Sequence, residues 1–349
     1  MSRILTCTWA PTAIAGPKLT RGDVRESALA TVTGPDLVSR LATPVERAEW
    51  LGIDHLLVAQ RWWGTGEEIE ASSFDCLAMT AYYAAMTSRI RLVTAIHPGF
   101  FLPAAIAKWG ATLDRVTGGR WAINVTSGWH EQEFGMFGAA LVPHDERYAR
   151  SREFIEVLRS AWAGDEVDYR GDYYQVDGLR LEPRPSHPLT VFQGGQSGAA
   201  QDLAAGHSDW MFLNGGPPEK VEAIIQSVRD KAAARGRTVR CALYGIPLCR
   251  ETDREAEDAV ASMVANIDPD RVARRRERVS GAQGMWQESP DPLTTLDSNE
   301  GFASRLIGSP ATIERRMLEF HDLGVDMFHL TLNDERFVAE VLPRIQAHR

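Results

Sequence analysis

The sequence predicts an α/β fold, a (β/α)8 or TIM barrel, and three observations support this fold class. About eight short apolar runs alternate with helix-like segments, which is typical of parallel strands joined by helical crossovers. Several of these runs end directly in glycine, amide and aromatic residues, as barrel strands do where they build a site. The length of 349 residues fits a barrel with insertions. An open doubly wound sheet is the alternative, but its GxGxxG signature is absent between the first strand and the first helix.

The first half of the chain begins with a strand over residues 4–9 and a long loop over 10–42, which shows no hydrophobic period. Thr43-Pro44 provides a cap and a first-turn proline, so a helix is predicted from there to Gly52. Gly118-Gly119 ends another helix just before the fourth strand. The remaining elements are strands at 54–58, 90–96 and 121–125 and helices at 74–88, 103–116 and 144–162.

The second half repeats the alternation after a turn-rich aromatic segment, 164–188, which is predicted to hold a small hairpin. A mostly helical and irregular insertion at about 253–304 separates the seventh strand from the eighth. We therefore predict one barrel domain over residues 1–349 that carries this insertion. The other elements are strands at 189–192, 209–213, 239–248 and 325–332 and helices at 199–206, 217–235, 310–321 and after Asn333.

Composition and charge exclude several classes of function. The net charge of −9 gives no general attraction to nucleic acid or membranes, and the Arg-rich run at 271–280 is more often a solvated helix face. The four cysteines form no CxxC pair and have no metal-ligand spacing, so no metal is expected and a reducing compartment is indicated. No apolar stretch is long enough for a membrane span and the N-terminus lacks a signal-peptide pattern, which predicts a cytoplasmic protein.

The predicted site lies where the carboxyl ends of the strands converge. The residues placed there are rich in aromatic, amide and glycine groups and poor in acids, which disfavours hydrolysis by a metal or by a carboxylate pair. No Walker loop, HExxH or GxSxG motif is present. Such a set suits a planar, amphipathic cofactor that brings its own chemistry. The strand-end residues are Trp9, Gln60, Arg61, Trp62, Trp63, 97–101, 124–130, 194–197, 214–216 and Asn333.

A phosphate site is one interpretation of Gly194-Gly195-Gln196-Ser197, which follows a strand and precedes a helix. A tight turn is the alternative. Arg147 and Tyr148, early in a long helix, could add a cation and a hydroxyl, or the arginine could form only a surface ion pair. Asn124 within a buried strand needs hydrogen-bond partners, whether from a ligand or from the core.

Four segments together resemble the bacterial-luciferase-type, FMN-dependent two-component monooxygenases. They are KWGATLDRVTGGRWAINVTSGWHEQEF, HDERYARSREFIEVLRSAW, YRGDYYQVDGLRLEPRP and VFQGGQSGAAQDLAAGHSDWMFLNGG, and the resemblance covers nearly the whole chain. It implies a (β/α)8 barrel that binds reduced FMN at the mouth and uses O2 as co-substrate. It also implies a separate NAD(P)H-dependent flavin reductase and a homodimer or homotetramer.

Within this family, the chain most resembles the dimethyl sulfone monooxygenases, because it also has the late segment GMWQESPDPLTTLDSNEGFASRLIGSP. Alkanesulfonate monooxygenases carry an arginine and a histidine where this chain has Tyr244 and Ile246, and an arginine near the position of Asn299. A fixed anion would favour those cations, so their absence indicates a small neutral sulfone and carbon–sulfur cleavage. Oxygenation or ring opening of a larger heterocycle, as in pyrimidine monooxygenases, and a deazaflavin dehydrogenase on the same barrel are the alternatives.

The resemblance and the strand-end chemistry together assign roles to individual residues. Three residues are assigned to catalysis: Asn124 and Thr126, which would position the oxygen species, and His97. The substrate pocket is assigned to Trp62, Phe100, Trp129 and His130, although each histidine is equally explained as a structural one. The segments RWWGTGEE and HPGFF, where the chain departs from its family, would shape this pocket. The residues assigned to the flavin are Gln60, Asn124, Glu133, Arg147, Tyr148, Gly194, Gly195, Gln196 and Ser197.

Overall fold

Eight parallel strands close into a barrel in the order β1-β12-β9-β8-β7-β4-β3-β2, which confirms the predicted fold class. The computed structural model describes residues 3–12, 21, 32–62, 72–164, 166–278, 291–297 and 299–348. The strands in this part of the chain are β1 Leu5–Trp9, β2 His55–Val58, β3 Arg91–Ile96, β4 Trp121–Thr126, β5 Val167–Arg170, β6 Gln175–Leu179, β7 Thr190–Gly194, β8 Trp210–Leu213, β9 Arg240–Gly245, β10 Leu248–Cys249, β11 Ile307–Gly308 and β12 Val325–Leu330.

Helices follow the barrel strands and cover the outside of the barrel. They are α1 Gly34–Trp50, α2 Cys76–Met86, α3 Pro103–Thr117, α4 Glu131–Met136, α5 His144–Ala163, α6 Gly198–His207, α7 Pro218–Ala233, α8 Asp253–Ala265, α9 Pro269–Arg278, α10 Pro310–Asp322 and α11 Leu342–Ala347. Short 3-10 turns occur at Pro98–Phe100, Pro292–Leu296 and Gly301–Ser304, and a π turn at Phe337–Val341 precedes α11.

The period of two along each strand divides its residues between the barrel interior and the helical layer. On β4, Ile123 and Val125 are fully buried in the outer core, whereas Ala122 belongs to the inner cluster. Asn124 and Thr126 have the same parity as Ala122, so they face the inside nearer the carboxyl end. The pleat therefore carries the polar side chains of β4 into the mouth of the barrel.

The predicted start of the first helix at Thr43-Pro44 is wrong. Helix α1 begins at Gly34, ten residues earlier, with Thr33 as its N-cap residue and a proline in its first turn, so part of the predicted loop is helical. The Thr43 hydroxyl donates to the Ser39 carbonyl, 2.9 Å away, and is not a cap. The buried stripe Leu41, Val45 and Ala48 continues across Pro44, and its burial offsets the hydrogen bond that an internal proline removes. Residues 13–20 and 22–31 of that loop lie outside the described residues.

Glu153 of α5 anchors the predicted hairpin, which is formed by β5 and β6. Its carboxylate is 2% exposed and accepts three backbone N–H groups, from Asp172 and Tyr173 at 2.9 Å and from Tyr174 at 3.1 Å. The Tyr174 hydroxyl then donates to the Pro98 carbonyl, 2.7 Å away. The hairpin therefore connects α5 to the turn that follows β3.

The insertion between the seventh and eighth barrel strands is confirmed, and its last part packs against the barrel mouth. The Gly215 N–H donates to the Asn299 carbonyl at 2.9 Å, and the Ser304 hydroxyl donates to the Tyr244 carbonyl at 2.8 Å. Glu300 and Arg305, which flank the 3-10 turn Gly301–Ser304, adopt left-handed backbone conformations with φ of 57° and 51°. These two anchors fix the position of residues 299–304 at the ends of β8 and β9.

All four cysteines are unpaired and buried. Burial raises the pKa of each thiol, to about 12 for Cys241 and about 11 for Cys249. Among the described residues, no group of His, Cys, Asp and Glu is arranged to hold a metal ion, and no helix is long and apolar enough to cross a membrane.

Candidate active site

A cavity of about 160 Å³ lies at the carboxyl ends of the barrel strands. Described residues from all eight barrel strands or the turns after them reach it, together with Glu133 of α4, the start of α5 and the insertion. The lining residues are Trp9, Leu57, Ala59, Gln60, Arg61, Ala95, His97, Asn124, Thr126, Ser127, Gly128, Trp129, Glu133, His144, Arg147, Tyr148, Gly194, Gly195, Gln196, Phe212, Leu213, Asn214, Tyr244, Asn299 and His329.

The wall of this cavity has a half with small and polar side chains, which we call the polar half. Ala95, Asn124, Thr126 and Gly194 are its members, and strand register pairs Ala95 with Asn124 and Thr126 with Gly194. The Asn124 amide nitrogen donates weakly to the Thr126 hydroxyl at 3.4 Å, while its carbonyl oxygen has no partner among the described residues. The absence of a side chain at Gly194 leaves room for a flat group beside this amide.

The other half is aromatic and is formed by Trp9, Phe212, Tyr244 and His329, which we call the aromatic half. The His329 ring lies in the middle, with its centroid 4.3 Å from that of Trp9, 5.1 Å from Tyr244 and 5.6 Å from Phe212. Burial lowers the pKa of His329 to about 3, so the imidazole is neutral at physiological pH. Burial, and then the Asp297 carboxylate, raise the pKa of Tyr244 well above its ordinary value.

Tyr148 of α5 meets the turn after β7, and Arg147 beside it reaches the turn after β4. The Arg147 guanidinium is 5% exposed and donates through Nη1 to the Gly128 carbonyl at 2.6 Å, while its Nε has no partner among the described residues. The Tyr148 hydroxyl lies 3.5 Å from the hydroxyl of Ser197. Gly195 has φ of +127°, and a Cβ there would lie 3.1 Å from the Tyr148 hydroxyl. Cation, hydroxyl and bare backbone thus surround one corner of the cavity.

His97, Gln60 and Glu133 form a buried cluster on the adjacent wall. Gln60 accepts the His97 backbone N–H at 2.8 Å, and Glu133 accepts the Trp62 backbone N–H at 2.7 Å. The Glu133 carboxylate lies 3.7 Å from the His97 Nδ1. Burial raises the pKa of Glu133 to about 7 and lowers that of His97 to about 3. This pair is therefore an acid that holds its proton near neutral pH beside an uncharged imidazole.

Glu133 should make stability depend on pH in an unusual direction. Because its pKa is about 7 in the folded protein and 4.5 ordinarily, the folded state binds the proton more tightly. The contribution of this proton to the free energy of unfolding is complete below pH 4.5, falls as pH rises towards 7, and levels off above 7. The total loss of stability is at most about 3 kcal/mol. Denaturant unfolding across this range should show a flatter pH profile in Glu133→Gln than in the wild type. Glu131→Gln, an exposed change on the same helix, should keep the wild-type slope, and equal slopes in all three proteins would contradict the assignment.

Four of the residues assigned to the flavin or to the substrate pocket do not line the cavity. The ring centroids of Trp62 and Phe100 are 5.5 Å apart, in an aromatic cluster that also contains Phe101 and Phe137. This cluster packs against the side of the His97 ring that faces away from the cavity. The ring of His130 accepts the Glu133 N–H at 3.3 Å and caps α4. Ser197 caps α6 and accepts the Ala200 N–H at 3.3 Å. Residues 63–68, the part of RWWGTGEE that follows Trp62, lie outside the described residues.

The cavity also contains residues that the sequence did not assign to the site. Phe212, Tyr244 and His329 lie at inward positions of β8, β9 and β12, and each is the next-to-last residue of its strand. These three residues lie in apolar runs that are typical of core strands, so the sequence alone does not assign them to the site. The single polar residue near the end of such a run, His329, was the available signal.

Buried polar atoms without partners test whether a flavin-like group fits these residues. Among the described residues, seven such atoms belong to residues that line the cavity: Gln60 Nε2, His97 Nδ1, Asn124 Oδ1, His144 Nε2, Arg147 Nε, Gln196 Nε2 and His329 Nε2. Each lacks the hydrogen bond that a buried polar atom normally makes, which indicates that the cavity is a ligand-binding site. Amide donors and acceptors match the edge of a flavin ring and its ribityl hydroxyls, and the guanidinium matches a phosphate. The residues fit FMN.

The closed barrel and the ligand cavity at its mouth define the class, a (β/α)8 enzyme with a cofactor site at the carboxyl ends of the strands. The model of the family described as luciferase-like monooxygenase matches residues 23–327. The chain belongs to this family, which confirms the resemblance predicted from its motifs.

Two curated relatives are similar over much of their length. The chain is 35% identical over 351 residues to an FMNH(2)-dependent dimethylsulfone monooxygenase of Pseudomonas fluorescens (strain Pf0-1), covering 97% of this chain and 93% of the relative. It is 37% identical over 277 residues to an enzyme of the same name from Pseudomonas putida, covering 75% and 76%. The solved structure of riboflavin lyase (RcaE) with modified FMN and riboflavin has a TM-score of 0.79 at 19% identity and covers 99% and 92% of the two chains, a likeness of fold.

Proposed function

We propose that this protein is a reduced-FMN-dependent monooxygenase that oxygenates a small sulfone and cleaves a carbon–sulfur bond. The observation that carries the proposal is the set of partnerless buried polar atoms around one cavity in a chain of this family. The 35% identity to a dimethylsulfone monooxygenase supports the substrate class. The alternative classes, ring opening of a heterocycle and a deazaflavin dehydrogenase, become arms of the test.

In this proposal, Arg147 and Tyr148 hold the FMN phosphate. They act with the backbone of Gly194, Gly195 and Gln196 and with the α6 N-terminus at Ser197. The amide of Gln60 and the carboxyl group of Glu133 face the ribityl chain or the ring edge. Asn124 and Thr126 occupy the polar half, where they would orient the reacting oxygen, and His97 contributes an uncharged wall beside Glu133.

The substrate residues divide into contact residues and supporting ones. Trp129 lines the cavity and is proposed to touch the substrate. Trp62, Phe100 and His130 support the wall from behind, through His97 and α4. Glu133 and these aromatic groups also exclude water, which a reactive oxygen species requires.

Bound reduced FMN would supply two electrons for the activation of O2. One oxygen atom enters a carbon next to sulfur and the other leaves as water, so a dialkyl sulfone gives an alkyl sulfinic acid and an aldehyde. For dimethyl sulfone the products are methanesulfinic acid and formaldehyde, with oxidised FMN. The chain's own contribution is to bind both partners, to orient them and to keep the cavity dry.

The test supplies reduced FMN from a generic flavin reductase with NADH in air and measures aldehyde and sulfinate. Dimethyl sulfone should give both products, whereas methanesulfonate, uracil and an aromatic sulfone should give little. Product from uracil in place of the sulfone would support the ring-opening alternative. Tight binding of a reduced deazaflavin and none of FMN would overturn the cofactor assignment.

The proposal extends to partners and location. The name of the relatives, FMNH(2)-dependent, supports a supply of reduced flavin from a separate NAD(P)H-dependent flavin reductase. By the same family likeness we propose a homodimer or homotetramer in the cytoplasm. Size-exclusion chromatography with light scattering decides the oligomeric state.

A further inference from the structure

The aromatic half of the cavity has no role in flavin binding as proposed above, yet it contains a polar group without a partner. His329 is 2% exposed, lines the cavity, and its Nε2 has no hydrogen-bond partner among the described residues. The rings of Trp9, Phe212 and Tyr244 surround it at centroid distances of 4.3 to 5.6 Å. A buried polar atom that is surrounded by aromatic rings and has no hydrogen-bond partner in the protein indicates a ligand that forms this hydrogen bond.

The charges around His329 define the ligand that suits it. The imidazole is uncharged, because burial lowers its pKa to about 3. The Tyr244 phenol also stays uncharged, since burial raises its pKa, and the Asp297 carboxylate beside it outweighs the opposing effect of Arg61. A neutral imidazole attracts a fixed anion weakly, and the Asp297 carboxylate repels one. The Arg61 guanidinium also lines the cavity and offsets part of this repulsion, but its effect on Tyr244 is smaller than that of Asp297. A neutral molecule with an exposed acceptor oxygen is favoured over an anion.

The shape of the aromatic half agrees with a small ligand that carries apolar groups. Ring faces and edges from four strands present apolar surface, and the His329 Nε2 is a polar atom among them without a hydrogen-bond partner in the described residues. A sulfone has two acceptor oxygens and no donor, so a neutral imidazole with its proton on Nε2 complements it. The opposite, polar half retains space for a flat ring beside Gly194 and Asn124.

We propose that His329 is a positioning residue that donates a hydrogen bond to a sulfonyl oxygen of a neutral substrate, whose alkyl groups lie against Trp9, Phe212 and Tyr244. This inference rests on the proposed function and adds where the substrate sits and which residue selects it. It places the substrate in the aromatic half and the flavin in the polar half. It also makes charge the basis on which the cavity distinguishes a sulfone from a sulfonate of similar size.

The test measures binding without turnover. Enzyme labelled with 15N-histidine and loaded anaerobically with reduced FMN is titrated with dimethyl sulfone and, separately, with methanesulfonate. The sulfone should shift the His329 ring nitrogen signals and leave those of His55 unchanged, and methanesulfonate should bind at least roughly tenfold more weakly. Equal binding of the two ligands would overturn the assigned substrate class.

Variants test the hydrogen bond itself. His329→Phe keeps a ring and removes the donor, so the dissociation constant for dimethyl sulfone should rise roughly tenfold, the effect of one neutral hydrogen bond, while reduced FMN binds as before. His329→Gln, which retains an N–H, should restore part of the affinity. His55→Phe is the matched control, because His55 is also a buried interior histidine whose pKa is lowered to about 3, but it does not line the cavity.

The outcomes separate this inference from the proposed function. Unchanged sulfone affinity in folded His329→Phe overturns the positioning role even if the wild type converts the sulfone. Loss of reduced-FMN affinity in His329→Phe would place the flavin in the aromatic half and overturn the inference as well. Failure of the wild type to bind reduced FMN at all is a failure of the proposed function, and the first titration detects it.

Discussion

Replacing Arg147 by alanine is expected to lower the affinity for reduced FMN by roughly a hundredfold, since each charge-assisted hydrogen bond contributes about 1.5–3 kcal/mol. The guanidinium is buried, keeps one bond to the Gly128 carbonyl and has an Nε without a partner among the described residues. Burial lowers its pKa but leaves a charged group that an anion would stabilise. An anaerobic fluorescence or calorimetric titration with reduced FMN measures the loss.

Riboflavin, which lacks the phosphate, makes this test specific. The wild type should bind reduced FMN much more tightly than reduced riboflavin, and Arg147→Ala should show a much smaller preference for FMN, retained through Tyr148 and the backbone at Gly194–Gln196. An equal loss of affinity for both ligands would instead mean that Arg147 acts by holding the turn at Gly128. Arg152→Ala is the matched control, because that arginine lies on the same helix and pairs with Glu156 at the surface, 3.2 Å away.

Removing the Glu153 carboxylate is expected to be the most destabilising of the changes considered, at about 3–5 kcal/mol. Three backbone N–H groups of the hairpin turn would lose a buried, charged acceptor, and such losses leave buried donors unsatisfied. Because Tyr174 donates to the Pro98 carbonyl, disorder in the hairpin should reach the wall beside His97. Chemical denaturation of Glu153→Ala measures the effect.

Two further variants test whether the lost hydrogen bonds cause the loss of stability in Glu153→Ala. Glu153→Gln keeps the shape and one acceptor oxygen, so it should lose less stability than the alanine variant. Glu146→Ala, an exposed change in the first turn of the same helix, should cost below about 1 kcal/mol. A loss for Glu153→Ala as small as that for Glu146→Ala would show that the hairpin holds its place without this carboxylate.

Most of the fold could be predicted because its signals are local. Each barrel strand is a short apolar run beside a helix with its own period, and the (β/α)8 class follows from their alternation. The predicted start of α1 is wrong because Thr43-Pro44 has the composition of a helix start. The apolar stripe that stabilises the helix lies on both sides of Pro44, so the helix continues through it. The six-residue helix α4 was not predicted, since one and a half turns show too little periodicity.

The site was less predictable, because it depends on side-chain direction across the barrel. Asn124, Arg147 and the turn at Gly195 were assigned from type and position, and they do line one cavity. Trp62 and Phe100 follow strands in the same way, yet their rings turn behind His97. His329 is far from the polar half in sequence and lies in an apolar run, so only the closed barrel shows that it faces the cavity.

The burial of all four thiols has a consequence for a protein proposed to handle O2. A cycle that misses its substrate releases hydrogen peroxide inside the barrel, and peroxide attacks thiolates much faster than thiols. Because burial raises the pKa of all four thiols, to about 11 at Cys249, about 12 at Cys241 and higher still at Cys7 and Cys76, almost none of these groups is ionised at neutral pH. None of the four cysteines would therefore be readily oxidised by the hydrogen peroxide that unproductive turnover releases. Such turnover would consume reduced flavin without oxidising the enzyme's cysteines to sulfenic acid.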